Sequence, residues 1–243
     1  MFKKIWRGFL KRYKNSRLQA WVSRIFEKLK FEGFYISYAQ FGEDIILENL
    51  LRDVEKGYFV DVGCNRPIEG NNTFKFYLKK WKGINIDGNR KMIDMFNKVR
   101  PKDTNICTLI SNKDEEVDFH ISADDRVSSI SEDFVSQMKN TRDYTQTLRL
   151  KTEKLEHLLD KHHHQQLPFA FLSIDVEGHD LQVLESCEFV KYRPYIICIE
   201  NHGFSISTLG ENKIYDYLTQ KNYHLAGFSK PNLYFMSNEG ITV

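Results

Sequence analysis

The sequence lacks the features that would place the protein in a membrane or outside the cell. It has no run of about 18 apolar residues, so no segment is expected to cross a bilayer as a helix. No continuous apolar stretch follows the basic N-terminus, and a secretory signal peptide is therefore not expected. The four cysteines are far apart and form no CxxC pair, which favours reduced, packed thiols over a disulfide framework or a zinc site. These absences predict a cytoplasmic protein.

The chain does contain enough apolar material for a folded domain. Its 243 residues are 41% hydrophobic and 14% aromatic, which excludes global disorder. The charge is unevenly distributed. Residues 1–30 hold ten Lys or Arg and one acid, a net charge of +9, whereas residues 31–243 hold 25 bases and 32 acids, a net charge of −7. This division predicts a basic arm, residues 1–35, in front of one domain, residues 36–243.

The arm has the apolar periodicity of two short amphipathic helices. A capping box, Ser16-Arg17-Leu18-Gln19, marks the start of the second helix. Such helices could adsorb to the anionic inner face of a membrane, or they could pack as a hairpin on the domain or on a second subunit. Nucleic-acid binding is not expected, because the basic residues do not continue into the domain. The apolar faces are Phe2, Ile5, Trp6, Phe9 and Tyr13 in the first helix and Trp21, Val22, Ile25 and Leu29 in the second.

The domain alternates short apolar runs with helical patterns, which predicts a doubly wound α/β fold around a parallel sheet. An antiparallel pair around Lys230-Pro231-Asn232 is predicted to close the sheet. The polar segment 122–147 is predicted to be a functional lid or excursion. The predicted strands are 58–62, 83–87, 104–110, 169–175, 195–200, 223–228 and 233–236, and the predicted helices are 72–81, 89–99, 178–188 and 211–221.

Four of the predicted strands end in an acid, namely Asp61, Asp87, Asp175 and Glu200. In an open α/β sheet, ligands bind at the carboxyl ends of the strands. One such acid could simply cap a helix. Four acids at the same edge of one sheet instead predict a polar ligand site.

The loop after the first strand favours a nucleoside as the ligand. Gly63 permits a tight turn close to a ligand, and Asn65 can adopt the left-handed conformation that a second glycine would supply. The loop is not GxGxxG, so a nicotinamide dinucleotide pyrophosphate has no evident cradle. Asp87 follows Gly63 by 24 residues and can accept two hydrogen bonds from ribose hydroxyls. A nucleoside without a pyrophosphate fits this pattern best.

An ordered set of motifs resembles the FkbM family of S-adenosylmethionine-dependent methyltransferases. The resemblance covers residues 36–236 and leaves the basic arm outside. The order of the motifs makes the match fairly specific. They are YAQFGED (38–44), FVDVGCNRP (59–67), NNT (71–73), WKGI (81–84), IDVEGHD (174–180) and RP (193–194), with Glu200 at the end of the fifth strand.

The resemblance implies a Rossmann-like class I methyltransferase fold, with a mostly parallel seven-stranded sheet and helices on both faces. It implies S-adenosylmethionine as cofactor and methyl transfer to an oxygen, often a sugar hydroxyl of a glycan, glycolipid or polysaccharide precursor. Asp87 would hold the ribose, although the family more often has Glu followed by Pro or Ala where this chain has Asp87-Gly88. Ser111 and Asn112 would flank the adenine. The other residues expected to line the cofactor cleft are Gln40, Glu43, Asp61, Gly63, Asn65, Asn72 and Asp175.

The acceptor hydroxyl must lose its proton during such a transfer. His179 and His202 are the predicted general bases, because the ordinary pKa of histidine lies near neutrality, and Asp175 is the next choice. The alternative for either histidine is that it only caps a helix or faces solvent. Glu177 could be structural and accept backbone N–H groups at the following helix.

Other functions stay open at the level of the sequence. One is a magnesium-dependent O-methyltransferase of a small molecule with Asp175 as a ligand, although no clustered acid pair is visible and no metal is expected. Another is a non-catalytic, membrane-recruited module of a glycan assembly complex. A nicotinamide oxidoreductase is disfavoured by the missing phosphate loop. The expected partners are a sugar or glycolipid acceptor and an anionic membrane surface bound through residues 1–30, which would make the protein peripheral to the membrane. The sequence gives neither the acceptor nor the oligomeric state.

Overall fold

A computed structural model describes residues 13–28, 35–122, 128–138 and 144–241. Among these residues, no helix combines the length and the apolar content needed to cross a bilayer. The helices are α1 (Arg17–Lys28), α2 (Glu43–Leu50), α3 (Phe74–Leu78), α4 (Arg90–Val99), α5 (Glu132–Met138), α6 (Leu155–His162), α7 (Asp180–Glu185) and α8 (Lys213–Gln220), with a 3₁₀ segment at Ile206–Glu211. The strands are β1 (Tyr58–Val62), β2 (Lys82–Asp87), β3 (Thr104–Cys107), β4 (Leu109–Ile110), β5 (Glu116–Ser122), β6 (Ser128–Ser129), β7 (Tyr144–Glu153), β8 (Phe169–Ile174), β9 (Ile196–Glu200), β10 (Tyr223–Ser229) and β11 (Asn232–Ser237).

The main sheet is mixed and has seven strands in the order β10-β11-β9-β8-β1-β2-β3. The block from β9 to β3 is parallel, and the β10–β11 hairpin joins it antiparallel through β11. The hairpin turns at a cis Lys230–Pro231 peptide bond, where the sequence predicted the closing antiparallel pair. The predicted α/β sheet is therefore confirmed, as a sheet that contains both parallel and antiparallel strands.

Helices cover both faces of this sheet because its central strands are apolar on both sides. β1 is buried along its whole length, and its successive side chains point to opposite layers. Val60 belongs to the apolar cluster that includes Leu158 of α6 and Leu184 of α7. Its neighbour Phe59 packs instead with Leu47 of α2. Burial on both faces removes the polar–apolar alternation of a surface strand, so the sequence shows a continuous apolar run.

The predicted strand 104–110 is wrong as a single element, because the chain changes sheets at Thr108. β3 pairs with β2 in the main sheet, whereas β4 pairs with β7 in a second sheet of order β4-β7-β5-β6. The described parts of the predicted excursion 122–147 carry β6, α5 and the start of β7. The register places Phe119 opposite Leu148 and Val117 opposite Leu150, which gives this small sheet one apolar face. Charged and polar residues stand between these apolar ones in the sequence, so the composition of the segment did not show that one face of the sheet is apolar.

The second predicted arm helix is present as α1. Ser16 Oγ accepts a hydrogen bond from the Gln19 N–H at 3.2 Å, as the capping box predicts. The Gln19 side chain accepts from the N–H of Asn15 at 2.6 Å, one residue earlier than in an ideal box. α1 packs on the domain through Ala20, which joins an apolar cluster with Phe74, so the second helix is docked on the domain. The first predicted helix, apart from Tyr13, lies outside the described residues, as does Leu29.

Candidate active site

The loop after β1 is held tightly between the ends of β2 and β8. Gly63 has φ +79°, and a Cβ on it would lie 1.8 Å from the carbonyl oxygen of Asp175. The N–H of Gly63 donates to the carbonyl of Ile86 at 2.9 Å. Asn65 has φ +50°, the left-handed conformation that the sequence predicted for it. Only glycine fits at position 63, and that fit brings the ends of β1 and β8 together.

Asp87, at the end of β2, points its carboxylate at this loop. One oxygen accepts the Asn65 N–H at 2.9 Å, and the other accepts the Asn89 N–H at 2.7 Å. Burial raises the pKa of Asp87 to about 6, and the nearby Asp61 adds to the shift. Each oxygen keeps a second lone pair, so the carboxylate can still accept hydrogen bonds from a ligand.

Asp61 is part of a buried polar network beneath the loop. It accepts hydrogen bonds from Thr73 Oγ1 at 2.9 Å and from Asn71 Nδ2 at 3.2 Å. Burial raises the pKa of Asp61, and the guanidinium of Arg100 opposes the rise. Arg100 is fully buried and donates to Thr73 at 2.9 Å, to Asn71 at 3.1 Å, and to Asp103 at 2.8–2.9 Å. Sequence reasoning missed Arg100, because no local signal distinguishes it from the surface bases.

A small pocket with both polar and apolar lining adjoins Asp87 on the side of the second sheet. Its lining includes Gly88, Leu109, Phe119 and His179. A Cβ on Gly88 would lie 2.4 Å from Leu109 Cδ2 and 3.0 Å from the Phe119 ring. The absence of a side chain at Gly88 leaves room for Leu109 and Phe119 to approach the end of β2. The Phe119 ring and Leu109 thus form an apolar wall of the pocket, against which a planar base could stack.

Ser111 and Asn112 line neither this small pocket nor the larger cleft that is described next. Ser111 Oγ lies 3.0 Å from His179 Nε2, and Asn112 Nδ2 donates to Glu185 of α7 at 2.5 Å. Burial lowers the pKa of His179, and Glu115 and Glu185 oppose the shift. The structure therefore places His179 on the side of the small pocket, tied to Ser111.

A larger cleft of about 1040 Å³ opens on the other side of the glycine loop. Glu43 is buried beside it, accepting the Phe41 N–H at 2.8 Å and Asn232 Nδ2 at 2.7 Å. Burial raises the pKa of Glu43. Asn72 Nδ2 donates to Ser173 Oγ at 3.2 Å. The structure brings these predicted residues together in the lining of the cleft: Gln40, Glu43, Asp61, Gly63, Asn65, Asn72, Asp175 and His202.

Several acidic side chains come together where the two pockets meet. His202 Nε2 lies 3.2 Å from Glu200 Oε2. Burial raises the pKa of Glu200 to about 8, helped by the charges of Glu177 and Asp180. Burial also raises the pKa of Asp175 well above its usual range, and the charge of Glu200 is the next largest cause of this rise. One ligand atom each of Glu177, Glu200 and His202 lies within 4.8 Å of the others, so this set could share a divalent cation.

The loop that carries Asp175 and Glu177 is shaped by Asp180. Its carboxylate accepts the N–H groups of Val176 and Gly178, each at 3.1 Å. Burial raises the pKa of Asp180 to about 6. Asp180 thus accepts backbone N–H groups of the loop that leads into α7, and the structural role of Glu177 at that helix stays a prediction. Glu177 lies in the left-handed region with φ +54° and lines both pockets.

The sheet has a glycine loop and converging acids at the carboxyl ends of its strands. This arrangement is typical of α/β enzymes, which bind their ligands at that edge of the sheet. The family model described as a methyltransferase FkbM domain matches residues 61–225, more than half of the chain. The protein therefore belongs to the FkbM family and is a methyltransferase. A comparison with curated proteins finds no match.

Proposed function

We propose that this methyltransferase uses S-adenosylmethionine to methylate a hydroxyl group, and that the hydroxyl belongs to a sugar of a glycan, glycolipid or polysaccharide precursor. The observation that carries the proposal is the half-buried Asp87 carboxylate. It lies between the left-handed Asn65 and a small pocket whose lining includes Leu109 and Phe119. The strand order, with a parallel block closed by an antiparallel hairpin, supports the Rossmann-like class I methyltransferase fold.

The residues present fit this cofactor. Asp87 would accept the ribose hydroxyls, and the pocket of Leu109 and Phe119 would take the adenine. The part of the cleft lined by Gly63, Asn65 and Asp175 would receive the methionine part. When bound, S-adenosylmethionine supplies an electrophilic methyl group on a positively charged sulfur. Acids at this edge favour such a positive charge.

The large cleft supports a sugar as acceptor. Its lining near the acids is rich in hydrogen-bonding groups, including Gln40, Asn72 and Asn232. Phe41 is 53% exposed and lines the same cleft, which offers an aromatic face to the apolar side of a sugar ring. Polar groups that fix hydroxyls beside a ring that stacks are the combination a carbohydrate needs.

The position of the two histidines favours His202 over His179 as the base. His202 faces the large cleft, and the Glu200 carboxyl group beside it, whose pKa is raised to about 8, would stabilise an imidazolium when it is ionised. If Glu200 holds Nε2–H, then Nδ1 is left to accept the hydroxyl proton of the acceptor. Asp175 lies at the junction of the pockets and would orient the acceptor. His179, bound to Ser111, would support the cofactor side.

Two experiments test this function. Calorimetry should detect binding of S-adenosylmethionine and no binding of NAD. A methyl-transfer assay with labelled cofactor against glycans and lipid-linked sugars should then give a methylated product, identified by mass spectrometry. His202→Ala should lower turnover about 10²–10⁴-fold and leave cofactor affinity intact. His179→Ala should mainly weaken cofactor binding, and the opposite pattern would return the role of base to His179.

A metal-assisted form of the same transfer is the second candidate. The convergence of Glu177, Glu200 and His202 favours it, because carboxylate and imidazole groups can share one divalent cation. Activity that survives EDTA would support the metal-free mechanism expected from the sequence. Activity lost in EDTA and restored by magnesium would establish the metal-assisted one.

A further inference from the structure

α1 presents an apolar row to solvent on the face opposite the one that packs on the domain. Ala20 and Ser23 are buried, whereas Trp21 is 59% exposed. Positions three and four residues apart lie on one side of a helix, so the exposed apolar side chains form a continuous row. A row of large apolar side chains on the outside of a charged helix marks an interaction surface. The row, called the α1 stripe below, consists of Leu18, Trp21 and Ile25.

The charge beside the α1 stripe is positive. Arg17 and Arg24 are both exposed. Arg17 Nε donates to the carbonyl oxygen of Lys98 at 2.6 Å, which brings the end of α4, with the exposed Lys98, beside Arg17. Residues 1–30 as a whole carry ten bases and one acid, a net charge of +9. Aromatic and aliphatic side chains beside a cluster of bases match an anionic phospholipid surface. A second copy of the chain that docked through the same stripe would bring like charge against like charge.

The α1 helix is firmly joined to the wall of the large cleft. The buried Asn15 Oδ1 accepts the N–H groups of Ile68 and Glu69 at 3.1 and 3.0 Å. Lys14 and Gln19 themselves line the cleft. Whatever surface the α1 stripe contacts is therefore held close to the part of the cleft that Lys14 and Gln19 line.

We propose that α1 is a membrane-docking element, whose stripe binds an anionic phospholipid surface and holds the adjoining part of the cleft at the level of the lipid headgroups. An acceptor carried by a lipid would then reach the acids of the cleft without leaving the membrane. The identity of this acceptor rests on the proposed methyl transfer, whereas the docking itself does not.

Vesicle co-sedimentation of the full chain tests the docking. The probes are vesicles of phosphatidylcholine alone and vesicles of equal parts phosphatidylcholine and phosphatidylglycerol. Wild type should bind the anionic vesicles, and binding should fall as salt is raised, because salt screens surface charge. Trp21→Glu should bind about tenfold more weakly, since it removes an interfacial ring and adds a repelled charge. The matched control is Val190→Glu, at a loop position that is 89% exposed, and it should bind like wild type.

Hydrogen–deuterium exchange gives the position of the docked face. Anionic vesicles should slow amide exchange in α1 and in the adjoining cleft loop, residues 66–70, and should leave the β10–β11 hairpin unchanged. Trp21→Gln, which adds no charge, serves as a second variant if thermal melting shows that Trp21→Glu is misfolded.

Three results would overturn the proposal. They are equal vesicle binding by wild type and the Trp21 variants, no binding of wild type to anionic vesicles, or a change of oligomeric mass in the Trp21 variants, which would make the α1 stripe an interface between copies. Calorimetry with S-adenosylmethionine keeps the two proposals apart. Loss of that binding alone would remove the proposed cofactor and leave the docking in place.

Discussion

Replacing Gly63 by alanine should damage the protein far more than the loss of a glycine alone. Alanine at φ +79° costs about 1–2 kcal/mol, because its Cβ meets the backbone in the left-handed region. The same Cβ would lie 1.8 Å from the Asp175 carbonyl oxygen, and contacts under 3.0 Å do not occur, so one strand end must move by about 1.2 Å. Forced overpacking of this kind adds about 1–3 kcal/mol. The expected total loss of unfolding free energy is about 2–5 kcal/mol.

Gly42→Ala is the matched control for this substitution. Gly42 has φ +88°, and nothing lies within 4 Å of its added Cβ, so this variant carries only the backbone penalty of about 1–2 kcal/mol. Urea unfolding measures both losses, and calorimetry measures S-adenosylmethionine binding. Gly63→Ala should also weaken S-adenosylmethionine binding, because a shift of about 1 Å at Asp175 misplaces the groups that would contact the cofactor. Equal stability of the two variants, with unchanged cofactor affinity for Gly63→Ala, would show that the approach of β1 to β8 is not constrained as described.

Three further substitutions test the charged groups. Asp87→Ala should weaken S-adenosylmethionine binding by about 1.5–3 kcal/mol, and wild-type affinity in calorimetry should fall as pH drops through about 6, where Asp87 becomes protonated. A flat pH profile would contradict the ribose role. Glu200→Gln should raise the melting temperature at pH 8 but not near pH 4. The raised pKa of Glu200 makes wild-type stability fall as pH rises from about 4.5 towards 8, and glutamine removes that ionisation. Arg100→Met should cost about 3–5 kcal/mol in urea unfolding by leaving buried acids uncompensated, whereas Lys98→Met, at an exposed neighbour, should change stability by less than about 0.5 kcal/mol. Similar losses for the two would refute a buried role for Arg100.

The parts of the site that follow a chain-local rule could be predicted from the sequence. The edge of the sheet at which Asp61, Asp87 and Asp175 meet follows from the rule that parallel strands end together. The left-handed Asn65 follows from its place two residues after Gly63, where the chain must turn sharply. The first needs only the place where each apolar run ends, and the second needs only the sequence of one loop. Neither therefore required knowledge of distant packing.

The contacts that depend on three-dimensional packing could not be predicted. Glu177 and Glu200 are 23 residues apart, and only the adjacency of β8 and β9 brings them together, so the sequence showed no acid pair. The burial of Arg100 depends on Asn71, which reaches it from another segment. The break at Thr108 depends on a competing partner, β7, that lies 36 or more residues further along the chain. In each case the deciding interaction joins segments whose pairing no local pattern reports.

The buried acids of this sheet edge fall into two groups that differ in how far neighbouring groups compensate their charge. Asp61 is surrounded by donors, and the guanidinium of Arg100 offsets part of its burial, so its network stabilises the ends of β1 and the following loop. At Asp175 and Glu200 the charges that raise the pKa are those of other acids, and the partner of Glu200 outside this group is the largely exposed His202. Such an arrangement destabilises the folded protein at neutral pH, because each carboxylate is held near others in a poorly solvated place. Packing alone would favour apolar or amide side chains there. The acids lie instead where the two pockets meet, so the position that is worst for folding is the one where a positively charged methyl donor and a hydroxyl acceptor would come together.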